Sequence, residues 1–145
     1  MNRNQPIIII EDDEDDQIIF RDTFCELGYK NQLHFFLDGQ LALDFLNGQG
    51  KDITPFLILS DINMPKLDGF ALRDKIRMDA ALQVRCIPYL FFTTSVTQNS
   101  VIYAYEKSIQ GFFLKQNSVE GLKEVITVIM EYWKHCAAPN NFISK

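Results

Sequence analysis

Acidic side chains follow two apolar segments of the sequence, at the points where buried strands are expected to end. Glu11-Asp12-Asp13 comes directly after four isoleucines, and Asp61 comes after the segment Pro-Phe-Leu-Ile-Leu-Ser. Like charges brought close together near a protein surface repel by roughly 4 kcal/mol per pair, so a cation is needed to relieve them. An all-oxygen acidic site suits a hard divalent ion, and Mg²⁺ is the one usually held by one or two carboxylates with waters and a phosphate group. The pattern therefore favours phosphoryl chemistry.

Short apolar segments alternate with helical patterns along the chain. Continuous apolar or β-branched runs predict strands over residues 7–10, 33–37, 56–60, 88–92 and 111–114. Apolar residues at helical spacing predict one helix after each strand, the fourth of them over 101–109 and the fifth beginning after the cap Ser118. Strict alternation of this kind predicts an α/β fold, a doubly wound parallel sheet of five strands with five helices, whose ligand site lies at the carboxyl ends of the strands.

Length and composition indicate one globular domain without a nucleic-acid or membrane partner. The chain has 145 residues, 47% of them hydrophobic, and we assign residues 1–136 to the domain and 137–145 to a short C-terminal tail. A net charge of −5 with scattered Lys and Arg gives no basic surface for nucleic acid. No apolar run reaches the length of a membrane span. The three cysteines are odd in number and widely spaced, which predicts buried, reduced thiols and a cytoplasmic protein.

Polar residues also follow the predicted fourth and fifth strands. Thr93-Thr94 ends the fourth and Lys115 ends the fifth, so a hydroxyl and an ammonium group join the carboxylates at one edge of the sheet. Taken singly, each residue has an ordinary structural explanation, such as helix capping or solvation. Together they supply a nucleophile, a metal site and a positive charge, the minimum set for phosphoryl transfer by positioning and electrostatics.

At these residues the chain resembles the receiver domains of two-component response regulators, the chemotaxis-regulator type of the flavodoxin-like fold. The resemblance rests on Glu11-Asp12, the string Asp61-Ile62-Asn63-Met64-Pro65 with Asp68-Gly69, Thr93 and Lys115, in the right order on the right strands. It extends to about Lys134 and implies the strand order 2-1-3-4-5. It also implies a single-domain signalling switch that catalyses its own phosphoryl transfer and a slow autodephosphorylation.

The resemblance implies a role for each acidic residue and for the lysine. Asp61 resembles the phosphoacceptor, which takes a phosphoryl group from a phosphohistidine of the partner. Asp12 resembles the main Mg²⁺ ligand, completed by Asp61 and the backbone carbonyl of Asn63, with Glu11 acting through water. Lys115 resembles the residue that pairs with Asp61 and then with a phosphoryl oxygen. The acids 13–16 exceed what such a site needs, and for 14–16 we expect an interaction with the dipole of the first helix.

Two further positions correspond to the switch of such domains. Thr93 resembles the hydroxyl that bonds the new phosphoryl group, and Phe112 occupies the position of the aromatic ring that turns inward when it does. Three positions depart from the pattern: Thr94 stands where Ala or Gly is commoner, Phe112 lacks the hydroxyl of a tyrosine, and the third is Gln116. Gln116 follows Lys115 where the family usually has a proline in a cis peptide, which leaves the isomer of the Lys115–Gln116 bond open. Gly69 is expected to allow either close packing or a positive φ.

Three other functions fit the sequence less well. A Mg²⁺-dependent phosphatase with an aspartyl nucleophile would need a second acid two residues after Asp61, where this chain has Asn63. A flavin-binding electron carrier would need a phosphate-binding first loop, which the acids at 11–16 would oppose. A calcium loop beginning at Asp12 would have Gln17 at its glycine position.

The resemblance implies a sensor histidine kinase as partner and, as a second one, a histidine phosphotransfer protein. Val128 and Tyr132 fall outside the predicted buried stripe of the fifth helix. This suggests a homodimer through that helix, and a monomer with scattered surface hydrophobic residues is the equal alternative.

Overall fold

The structure is a computed structural model that describes residues 5–94 and 96–137. Five parallel strands form one sheet in the order β2-β1-β3-β4-β5. Their bounds are β1 Ile7–Ile10, β2 Leu33–Phe36, β3 Leu57–Ser60, β4 Tyr89–Thr93 and β5 Gly111–Leu114. The predicted sheet and its strand order are therefore confirmed, with strand bounds differing by at most one residue.

Six helices connect and follow the strands, one more than the sequence predicted. They are α1 Glu14–Glu26, α2 Gly39–Asn47, α3 Gly69–Met78, α4 Ala80–Gln83, α5 Gln98–Glu106 and α6 Val119–Lys134. The additional helix, α4, is a single turn in which only Leu82 is buried, and Asp79 caps it. A single buried residue produces no repeating apolar pattern in the sequence. The prediction of five helices was therefore wrong at this point.

The predicted fourth helix, residues 101–109, corresponds to α5 but begins and ends three residues too late. Thr97 caps α5, because its side chain accepts from the backbone N–H of Ser100 while the Ser100 hydroxyl accepts from that of Thr97. This reciprocal cap satisfies free N–H groups at the start of the helix and sets that start before the first apolar residue. The cap Ser118 predicted for α6 is confirmed.

Alternate residues of each strand face two separate apolar layers. One layer joins Ile8, Ile10 and Ile58 of the sheet to α2, α3, α4 and α5, and the other joins Ile7 and Ile9 to α1 and α6. Both faces of the central strands are covered, so all residues of β1, β3 and β4 are buried. The two layers fix the strands as a rigid platform, and the residues directly after them are placed together at one edge.

The structure also gives the isomer of the Lys115–Gln116 bond and the exposure of the cysteines. The Lys115–Gln116 peptide bond is trans, since the described part of the chain contains no cis peptide bond. Cys25 and Cys86 are exposed and Cys136 is partly exposed, so the prediction of buried thiols was wrong. No helix among residues 5–94 and 96–137 has the length and apolar content needed to cross a membrane. Residues 138–145, most of the predicted tail, lie outside the described residues.

Candidate phosphoryl and metal site

The carboxyl ends of β1 and β3 place two acidic side chains side by side. The backbone N–H of Glu11 donates to Phe36 O at 2.9 Å, and that of Asp61 donates to Ile10 O at 3.0 Å, so both residues continue the ladder of the sheet. Glu11 is only 2% exposed and Asp61 only 9%. Two largely buried carboxylates in one place require compensating charge or hydrogen bonds.

Lys115 supplies part of that charge. Its Nζ lies 3.1 Å from Asp61 Oδ2, donates to Glu11 Oε2 and lies 3.5 Å from Asp16 Oδ2. Its backbone N–H donates to Thr93 O at 2.8 Å, which fixes Lys115 at the end of β5 beside the end of β4. Burial lowers the pKa of Lys115, but the hydrogen bonds and charges of Glu11 and Asp61 outweigh burial and raise it overall. The side chain therefore stays a cation.

Glu11 is the carboxylate whose negative charge is destabilised in this arrangement. Burial raises its pKa to about 7, against the opposing effects of the Lys115 ammonium and of the Asp13 N–H, which donates to Glu11 Oε1 at 3.1 Å. A single lysine therefore does not fully compensate the buried carboxylates. A further cation at this point would relieve the remaining repulsion.

Asp61 has a defined orientation. The N–H of Ile62 donates to Asp61 Oδ1 at 2.7 Å, while Oδ2 faces Lys115. The following turn packs closely, because a Cβ on Gly69 would lie 2.4 Å from Asp61 O and 2.8 Å from Cε1 of Phe91. Gly69 has no positive φ, so of the two roles expected for it the structure selects close packing.

Glu11, Asp12 and Asp61 together offer a set of oxygen ligands. One carboxylate oxygen from each lies within 4.8 Å of the others, with Asp12 exposed and the other two buried. Carboxylate oxygens in this number fit a hard divalent cation that keeps some of its waters. The described residues thus bring together three of the acidic side chains named in the metal-site prediction. Asn63, whose backbone carbonyl was expected to join them, is exposed in the turn that follows Asp61.

Thr93 and Phe112 lie on the neighbouring strands β4 and β5. Thr93 is buried at the end of β4 and pairs in register with Leu114. Phe112 on β5 is half-buried, and its ring lies edge-on to Phe91 with centroids 6.1 Å apart. Thr93 thus lies at the carboxyl end of its strand with Glu11, Asp61 and Lys115, whereas Phe112 lies within β5, in register with Phe91.

Two contacts of the site were not predicted from the sequence. Asp16, assigned only to the helix dipole, reaches Lys115, and the side-chain amide of Gln17 donates to Glu11 O at 2.8 Å. Asp13 is the N-cap of α1, with its Oδ1 accepting from Asp15 N at 2.8 Å and Asp16 N at 3.3 Å. The contact of Asp16 with Lys115 joins α1 to the end of β5, and no local spacing in the sequence signals it.

Comparison with known proteins assigns the family. The model of the response regulator receiver domain matches residues 7–127, so the chain belongs to the receiver domains of two-component signalling. Its relatives include the probable methanogenesis regulatory protein FilR2 of Methanothrix harundinacea, 31% identical over 130 residues, which are 88% of this chain and 82% of the relative. Response regulator Rcp1 of Synechocystis is 28% identical over 135 residues, 91% of this chain and 90% of Rcp1. Chemotaxis protein CheY-3 of Vibrio cholerae is 28% identical, covering 90% and 95%.

Solved structures agree with this assignment. The phosphorylated cyanobacterial phytochrome response regulator RcpA superposes with a TM-score of 0.82 over 93% of this chain and 97% of its own, and its 23% identity supports the fold. The Mn²⁺-bound form of Rcp1 has a TM-score of 0.78 at 26% identity, covering 92% and 97%. Receiver domains bind a divalent metal and interact with histidine kinases. The receiver prediction is therefore favoured over the phosphatase and flavin-carrier alternatives.

Proposed function

We propose that this receiver domain is a phosphorylation switch in which Asp61 accepts a phosphoryl group from the phosphohistidine of a sensor histidine kinase. One observation carries the proposal: the Asp61 carboxylate is oriented by the N–H of Ile62, faces the Lys115 ammonium at 3.1 Å and shares one ligand cluster with Glu11 and Asp12. A nucleophile, a fixed cation and a set of oxygen ligands suited to a metal therefore lie together beyond the carboxyl ends of the strands.

The transfer exchanges one bond to phosphorus for another. An oxygen of Asp61 forms the new bond, the bond from phosphorus to the histidine nitrogen breaks, and the imidazole leaves with the electron pair. The Ile62 N–H restricts rotation of the carboxylate, and Lys115 is placed to pair with a phosphoryl oxygen. The product is an aspartyl phosphate at the end of β3.

We assign the metal as Mg²⁺, held by Asp12, Asp61, the backbone carbonyl of Asn63 and, through water, Glu11. When bound, Mg²⁺ neutralises charge on the phosphoryl oxygens. The buried carboxylate of Glu11, with its pKa raised to about 7, is the group that gains most from a second cation beside Lys115.

The response to phosphorylation is proposed to pass through Thr93 and Phe112. The Thr93 hydroxyl would bond the phosphoryl group, and the half-buried ring of Phe112 would turn inward against Phe91. Because β4 leads into α5 and β5 adjoins it, these movements would alter the surface formed by α5, β5 and α6. Partner binding at that surface is the proposed output.

Replacing Thr93 with alanine should separate phosphoryl binding from this response. With Mg²⁺ and beryllofluoride, a phosphoryl mimic, the wild type should show amide chemical-shift changes at Asp61 and across α5. The Thr93→Ala variant should keep the changes at Asp61 and lose most of those on α5, since only the coupling hydroxyl is removed. Thr54→Ala, three residues before the start of β3 and so near the amino ends of the strands, is the control and should match the wild type. Equal shifts on α5 in Thr93→Ala and wild type would refute the switch role of Thr93.

We also propose a histidine phosphotransfer protein as a second partner. In addition, we propose that two copies of this chain associate through α6. Val128 and Tyr132 on α6 are 56% and 62% exposed, which supports an apolar contact there. Sedimentation equilibrium should show a dimer that tightens with beryllofluoride and weakens in Val128→Ser. Leu41→Ser, an exposed residue of α2 in the other apolar layer from α6, serves as the control. A monomer at high concentration in both states would remove the dimer.

A further inference from the structure

Lys115 has a third carboxylate partner that the proposed reaction does not use. Asp16, in the first turn of α1, places Oδ2 3.5 Å from the Lys115 Nζ. The Asp16 side chain is 39% exposed, whereas that of Lys115 is only 12% exposed. The two residues line the same small crevice, of about 70 Å³, beside the site. Asp16 is therefore the most accessible partner of the lysine on which phosphoryl binding depends.

We propose that Asp16 is a positioning residue that restrains Lys115, strengthening metal binding and weakening phosphoryl binding at the site. This inference rests on the function proposed above. An ammonium group has three N–H donors, and three carboxylates, those of Glu11, Asp61 and Asp16, now surround it. A phosphoryl oxygen must compete with one of these carboxylates for Lys115. Asp16, which lies on a helix and outside the ligand cluster, is the partner that competes for Lys115 without being a metal ligand itself.

The negative charge of Asp16 and its contact with Lys115 both oppose the binding of a phosphoryl group. A carboxylate next to Lys115 repels an incoming phosphoryl group, because both are negative, and it attracts a divalent cation. Removing that carboxylate should therefore tighten the binding of a phosphoryl mimic and weaken the binding of Mg²⁺. A purely structural role would weaken both, since a distorted site binds neither ligand well. The opposite signs distinguish the two roles.

Asp15 provides a matched control. It is exposed, carries the same charge, and lies in the same first turn, so it interacts with the α1 dipole as Asp16 does. The backbone N–H of Asp15 donates to Asp13 Oδ1 at 2.8 Å, and among the described residues its side chain forms no ion pair with Lys115. Asp15→Asn and Asp16→Asn change the net charge equally and differ in the contact with Lys115.

The test compares wild type, Asp15→Asn, Asp16→Asn and Asp16→Glu by NMR titration. Mg²⁺ is titrated alone, and beryllofluoride is then titrated at saturating Mg²⁺. Relative to Asp15→Asn, we expect Asp16→Asn to bind beryllofluoride about three- to tenfold more tightly and Mg²⁺ about two- to fivefold more weakly, a modest change because the carboxylate is partly solvated. Asp16→Glu should return both affinities toward those of the wild type, because it restores the charge within reach of Lys115.

The possible failures are distinguishable. If Asp16→Asn and Asp15→Asn have equal affinities, or if Asp16→Asn weakens both ligands, the positioning role is wrong while the proposed function stands on the wild-type binding. If the wild type itself binds no beryllofluoride in Mg²⁺, the proposed function fails and the role of Asp16 fails with it.

Discussion

Replacing Asp61 with asparagine will abolish transfer of phosphate from a phosphorylated histidine kinase to this chain. The amide keeps the shape of the side chain, but its neutral oxygen is a poor nucleophile and it no longer pairs as an anion with Lys115 at 3.1 Å. We expect the rate of labelling to fall by on the order of 10³-fold or more, because the substitution removes the attacking group itself. Transfer of ³²P from the kinase phosphohistidine, followed over time, measures this directly.

Asp22→Asn is the control for that substitution. Asp22 is exposed on α1 and lies outside the site, so the same change of charge there should leave the labelling rate near that of the wild type. Thermal unfolding of both variants checks that the fold is retained. Labelling of Asp61→Asn at the wild-type rate would show that another residue is the acceptor.

Replacing Asp12 with alanine will lower the affinity for Mg²⁺ by at least about tenfold, equivalent to about 1.4 kcal/mol. Asp12 is the exposed member of the Glu11, Asp12 and Asp61 cluster, so its carboxylate can meet a hydrated ion without further desolvation. Because the side chain is exposed, its removal should cost little stability. The affinity is obtained from amide chemical shifts during a Mg²⁺ titration.

Two further variants test whether the loss of Mg²⁺ affinity is specific to Asp12. Asp13→Asn removes a neighbouring charge but keeps an N-cap for α1, since asparagine caps helices as well as aspartate does. It should reduce Mg²⁺ affinity less than Asp12→Ala. Lys115→Ala should retain Mg²⁺ binding while losing the response to phosphorylation, because it removes a competing cation and not a ligand. Equal Mg²⁺ affinity in the wild type and Asp12→Ala would exclude Asp12 as a ligand.

The sheet and the placement of the site could be predicted because they depend on strong, local signals. Four consecutive isoleucines strongly favour a strand buried on both faces, and parallel strands bring the residues that follow them to one edge. Glu11, Asp61 and Lys115 were therefore expected together before any distance was known. The observed contacts from Lys115 to both carboxylates agree with that expectation.

The remaining details depend on information that a linear pattern does not contain. Helix α4 is one turn long and buries one side chain, so it has no period to recognise. The contact between Asp16 and Lys115 joins residues about 100 positions apart, and its formation depends on how α1 leaves β1 through the Asp13 cap. The burial that raises the pKa of Glu11 likewise arises from packing across the whole sheet edge.

The most direct test of the phosphorylation switch is to locate the phosphoryl group on the wild-type chain. The protein is phosphorylated by a histidine kinase in Mg²⁺, its intact mass is measured, and the acyl phosphate is trapped by borohydride reduction before peptide mapping. The proposed function predicts an intact mass raised by one phosphoryl group, about 80 Da, and, after reduction, homoserine in place of Asp61 in the peptide map, with neither change in excess chelator. A phosphoryl group mapped to any other residue, or one added at the same rate without a divalent metal, would contradict it.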